Sequence, residues 1–180
     1  SFTPAGLAAA AEVADGVFPI WLSPEQTGLI EDHLAPGFAR RSDGRTRADF
    51  DVAPTLIVVV GADVAACRRP VKEMLALYVG GMGARDSNFY NRYARDLGYA
   101  DAAVASQDLF LAGRKEEAVQ AVPDALVDEI ALVGPLARIR ERAVAWQRLG
   151  AEGTVGTLIL GMRQPEHLGA DADAAFIQRF

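Results

Sequence analysis

The stretch "APTLIVVV", Ala53–Val60, decides the fold. From Leu56 to Val60 it is wholly apolar, and its β-branched side chains favour an extended backbone. A strand with one wet face alternates apolar and polar residues, whereas a continuous run is the pattern of a parallel strand covered on both sides. Parallel neighbours need long crossovers, so helices should flank it. Downstream, helical periodicity runs from Asp63 to about Tyr78, and Gly80, Gly81 and Gly83 should break it.

Upstream, "ADGVFPIWLSPEQ", Ala14–Gln26, joins an Asp-Gly turn to a short apolar strand and then to a helix start. Ser23 is the expected cap, with Pro24 at the first helical position and Gln26 as capping-box partner. That helix should continue to about Arg41 with a break at Pro36-Gly37. Before the strand lies an Ala-rich helix opened by Pro4, with Ser1 or Thr3 as its cap. After the long apolar strand come three or four helical segments from about Asp86 to Glu129, then "PLARIRERAVAWQRLG" as an amphipathic helix and "GTLILG" as a strand. Residues 165–180 read as one more helix. Strands alternating with helices call for a parallel sheet with right-handed crossovers.

The bulk properties narrow the function classes. The 180 residues are 51% hydrophobic and 23% charged, which is enough apolar matter for one ordinary core. A formal net charge of −6 leaves no basic footprint for nucleic acid. No apolar run spans a bilayer and the N-terminus lacks signal-peptide order, so no membrane contact and a cytoplasmic location are expected. The lone Cys67 reads as a buried structural thiol. His33 and His167 have no ligand-spaced partners, so no metal is expected. "YVGGMGAR" (78–85) follows a helix and lacks a Lys-Ser/Thr ending, which excludes a nucleotide P-loop.

Five segments in this order carry a resemblance: "ADGVFPIWLSPE", "APTLIVVVGAD", "ALYVGGMGARDSNFYNRYARDLGY", "LFLAGRKEEAVQAVPDALVDEIALVGP" and "RLGAEGTVGTLILG". Together they resemble the C-terminal half of the bacterial-luciferase-like monooxygenase superfamily, and within it the deazaflavin-dependent branch related to methylenetetrahydromethanopterin reductase. The resemblance implies an α/β fold, the C-terminal half of a (β/α)8 TIM barrel. Residues 1–180 would form a single partial-barrel domain with strands at about 17–22, 55–60 and 156–160. A helical insertion at about 86–129 would separate the last two strands. Active sites of such barrels lie at the C-terminal ends of the strands.

The implied function is hydride transfer between reduced coenzyme F-420, a deazaflavin, and a small organic substrate, with FMN as the alternative cofactor. Ser1, Phe2 and Thr3 fall where relatives commonly receive the flavin phosphate, and a helix N-terminus favours an anion. Simple capping is the competing role of Ser1 and Thr3. Trp21 would wall the flavin ring or pack in the core. No general acid or base is identified. The chain begins with Ser rather than Met, and it reads as processed, cloned or partial. With half the barrel absent, a homo-oligomer or pairing with the missing half-barrel is expected, because open sheet edges invite association. The alternative is a non-catalytic partial barrel or a degenerate flavoprotein acting through association.

Overall fold

The computed structural model describes residues 3–163, which form two compact units. One comprises residues 3–56 and 142–160, the other 57–141 and 161–163. The helix expected over 165–180, like Ser1 and Phe2, lies outside the described residues.

The first unit begins with α1 (Pro4–Val13), which packs on α2 (Gly28–Phe38). Between them β1 (Gly16–Val17) pairs in parallel with β2 (Asp51–Val52), in register Gly16–Asp51 and Val17–Val52. Beyond β1 the expected strand over 17–22 is paired only at Ile20, which bridges in parallel to Thr55 at the start of β3 (Thr55–Val60). Pro19 has no N–H to give, and Trp21 leaves the β region altogether, so the ladder cannot run on to Leu22.

The helix after Ser23 starts four residues later than its capping signature suggests, at Gly28 rather than at Pro24. Ser23 Oγ instead accepts from the Glu25 N–H (3.3 Å) in a local turn, and α2 opens at Gly28. Pro36-Gly37 does not break α2. Gly37 is a contact residue: a Cβ there would overlap the Ala8 carbonyl oxygen and lie 2.6 Å from the Ala11 Cβ. Leu7, Ala11, Ile30 and Leu34 bury the interface around it. Arg41 closes α1, donating to the carbonyls of Ala11 (3.1 Å) and Ala14 (2.6 Å).

The segment leading into β5 (Ile159–Arg163) runs beside β2 in the same direction, with Gly156 N donating to Val52 O (3.2 Å) and Ile159 N to Pro54 O (3.0 Å). Three residues on this side match two on the other, and Thr157 Oγ1 turns to Asp51 Oδ2 (2.9 Å). This irregular stretch is why regular strand begins at Ile159 rather than at Gly156.

The second unit carries the rest of β3, followed by α3 (Val64–Gly81), α4 (Phe89–Asp96), α5 (Ala100–Leu111), α6 (Lys115–Gln120) and α7 (Asp124–Ile130). Then come β4 (Ala131–Gly134) and the first turns of α8 (Leu136–Ala151). Asp63 caps α3 by accepting from Ala65 N (2.8 Å) and Ala66 N (3.2 Å). The helix runs through Gly80 and ends at Gly81, and both are glycine where Phe110 of α5 occupies the space a Cβ would need. Strand β4 pairs in parallel with β3 from Ile57–Ala131 to Val60–Gly134, and the sheet order is β4-β3-β5. The sequence offered no separate signal for β4: four apolar residues directly after a helix are too few to show a period of two.

Candidate functional site

At the start of the first unit, α1 presents a helix N-terminus with few of its own groups satisfied. Thr3 is the N-cap: its Oγ1 accepts from Gly6 N (3.1 Å) and its carbonyl accepts from Leu7 N (2.8 Å). Pro4 has no N–H, and no acidic side chain lies in the first turn to offset the helix dipole. The Ala5 N–H and the proton of the exposed Thr3 hydroxyl remain as donors among the described residues. That donor set suits an anion such as a cofactor phosphate. Of the three residues read for this role, only Thr3 lies within the described chain.

Trp21 stands where the strand after β1 ends. It has φ +55°, the one positive φ among the described non-glycine residues, and its side chain is 3% exposed. A bulky residue in the left-handed region costs about 1–3 kcal/mol and is held only where its surroundings overdetermine it. The strain falls at the strand end, the edge on which barrel sites are built. It is joined there by Ser23, fully buried, whose hydroxyl donates to Glu25 Oε2 (3.3 Å). Arg142 of α8 grips the same carboxylate (Nη2 to Oε2, 2.7 Å), and this partner holds Glu25 below the usual carboxylate range. The result is a fixed strand-to-helix turn. Thr3 caps α1 and Trp21 follows the Ile20 bridge beyond β1, so two of the residues read as a site sit on separate elements.

No described group with a resolved shift is moved toward neutrality. Asp43 is held at about 2 by Arg41, Tyr99 is pushed up to about 12 by burial and by its bond to Glu129 Oε2 (2.7 Å), and burial raises the Cys67 thiol. Cys67 is a free, buried cysteine on α3. Among the described residues no three or more His, Cys, Asp or Glu side chains gather as a metal site, and no helix is long and apolar enough to cross a membrane. His33 is half-buried on α2, and His167 lies outside the described residues.

The sequence model of the luciferase-like monooxygenases matches residues 1–153. The chain belongs to the luciferase-like monooxygenase family. Within this family, a Mycobacterium tuberculosis protein provisionally named a coenzyme F-420-dependent oxidoreductase is 40% identical over 154 residues, covering 86% of this chain and 44% of that protein. The fold resembles that of the coenzyme F-420-dependent tetrahydromethanopterin reductase of Methanopyrus kandleri, with a TM-score of 0.63 at 17% identity over 92% of this chain and 45% of that one. A structure of an F-420-dependent secondary alcohol dehydrogenase holding an F-420–acetone adduct matches with a TM-score of 0.51 at 13% identity, over 91% of this chain and 42% of its own. This luciferase-like chain thus spans less than half the length of these relatives. Its α/β architecture of parallel strands is that of a partial (β/α)8 barrel.

Proposed function

We propose that this chain supplies the cofactor-phosphate end of a coenzyme F-420-dependent oxidoreductase, the intact enzyme passing a hydride between the reduced deazaflavin and a small organic substrate. The observation that carries this reading is the 40% identity over 154 residues to a protein named for that cofactor. Two structures of the same fold bear names with the same cofactor, and no observation favours FMN. The donor set at α1 fits a phosphate, with Thr3 and the Ala5 N–H as its holders. Ser1 and Phe2, which precede Thr3 in the sequence, are proposed as further holders. Coenzyme F-420, when bound, supplies the hydride; the protein supplies binding and orientation. Trp21, being buried, serves by locking the strand end and the wall behind it rather than by offering an open ring face.

Thr3→Ala tests this assignment. Loss of a hydroxyl bonded to a charged group weakens binding by about 1.5–3 kcal/mol, so F-420 affinity should fall about tenfold or somewhat more. A capping residue alone would lower helix stability by about 0.5–2 kcal/mol and leave affinity intact. Cofactor titration and thermal melting of that variant separate the two roles.

One observation also favours association. Phe18, which directly follows β1, is 67% exposed, and Ile159, at the start of β5, is 41% exposed. Large apolar side chains left bare at or beside a strand are ones that a partner covers, whether a second copy or the remaining half of a barrel. Light scattering that returns a mass above 19.2 kDa supports this association, and a monomer that stays dispersed opposes it.

A further inference from the structure

We propose that the helical insertion carries an anion-binding pocket, built on Arg85, Arg92 and Arg95, that takes a carboxylate or phosphoryl group of a ligand. This inference rests on the second unit alone and does not depend on the deazaflavin reading. The pocket has a volume of about 210 Å³ and is lined by Arg85, Asp86, Asn88, Asn91, Arg92 and Arg95. Three guanidinium groups face one carboxylate there, in a chain whose formal net charge is −6.

The floor is rigid. Asn88 and Asn91 are buried, and Asn88 Nδ2 donates to the carbonyls of Tyr78 (2.9 Å) and Val79 (2.8 Å) while its Oδ1 accepts from Asn91 N (3.1 Å). Asn91 Nδ2 donates to Ala103 O (2.8 Å), and its Oδ1 accepts from Arg95 Nε (2.8 Å). Three helices are thereby tied at one point. Gly83 lets the loop wall close on this floor, since a Cβ there would lie 3.1 Å from Asn88 Cα.

Arg95 is thus held through one nitrogen by a neutral amide, and among the described residues its two terminal nitrogens have no acceptor. Elsewhere the chain satisfies its arginines with carboxylates: Arg47 with Glu31, Arg68 with Asp124 and Asp128, Arg69 with Glu73 and Glu116. Arg85 follows that habit by pairing with Asp108. Among the described residues no carboxylate pairs with Arg92 or Arg95. Two unmatched guanidinium groups beside a third repel one another, and an oxyanion relieves that repulsion with the forked geometry arginine is built to give.

Titration calorimetry at low ionic strength, with inorganic phosphate in one arm and glutarate in the other, tests the pocket. Saturable binding in at least one arm is expected, weakened about tenfold or more in Arg92→Gln and in Arg95→Gln, as befits a lost charged hydrogen bond. Phosphate alone binding identifies a phosphoryl ligand, and glutarate alone a carboxylate. Asp86→Asn should bind tighter. Arg92 is exposed, so its variant is expected to keep the native melting temperature and the result can be read without a folding defect. Absence of saturable binding in both arms overturns the proposal. Binding that persists in the Arg92→Gln/Arg95→Gln double variant but disappears in Thr3→Ala also overturns it, by placing the anion at α1.

Discussion

Gly37→Ala is the sharpest probe of how the first unit is held together. In an exposed helix interior the change would stabilise by about 0.5–1 kcal/mol, because alanine loses less backbone entropy. At Gly37 the new methyl overlaps the Ala8 carbonyl oxygen and sits 2.9 Å from its carbon. These are backbone atoms of a neighbouring helix, so no side chain can swing aside and α1 must move off α2. Overpacking costs about 1–3 kcal/mol, and a clash with backbone belongs at the upper end. After subtracting the gain in helix propensity, the net loss is about 2 kcal/mol. For a chain of this size that lowers the melting temperature by about 4–8 °C. Denaturant unfolding followed by circular dichroism measures it. A Gly37→Ala protein as stable as the parent, or more so, would refute the close contact of α1 and α2 at this point.

Further expectations follow from the strand end and from the titrating groups. At Trp21 the usual order of substitutions should invert: alanine and glycine both empty the buried site, at about 3–5 kcal/mol, but only glycine relieves the left-handed backbone. Trp21→Gly should therefore be no less stable than Trp21→Ala by thermal melting, and a glycine variant lower by about 1 kcal/mol would contradict the strained φ. Acid should weaken the fold. Glu25, Asp43 and Asp49 all titrate below their ordinary values, so they bind protons more weakly when folded. Their contribution is present above the usual carboxylate range and is lost as pH falls through the folded values, for Asp43 about 2. The melting temperature should fall from about pH 5 down to about pH 2, and Arg41→Gln should flatten the lowest part of that fall, because Arg41 is the main cause of the Asp43 shift. A profile unchanged by Arg41→Gln counts against that pair.

The parallel strand at Thr55–Val60 was legible because its run from Leu56 to Val60 holds no polar position, and a half-exposed strand or a surface helix of that length would have shown one. The same reasoning could not see β4, whose four residues carry no periodicity of their own. Glycines misled in two places. Gly37 and Gly80 look like helix breakers in a one-dimensional reading, yet each is small because another helix presses on it, and that pressure exists only in three dimensions. Thr3 was legible as a cap because Pro4 marks the first helical position. The left-handed backbone of Trp21 had no signal at all, since tryptophan is the kind of residue that should avoid it. The arginine pocket escaped for a different reason: Arg85, Arg92 and Arg95 look like surface charges along a helix until Asn88 and Asn91 are seen turning inward beneath them.

The central claim concerns the cofactor, and competitive equilibrium binding tests it most directly. The protein is titrated with coenzyme F-420 and, separately, with FMN, with tryptophan fluorescence as the signal and each cofactor then used to displace the other. The account predicts saturable binding of F-420 that FMN displaces only at large excess. Tight binding of FMN with no measurable affinity for F-420, or no saturable binding of either, would contradict it.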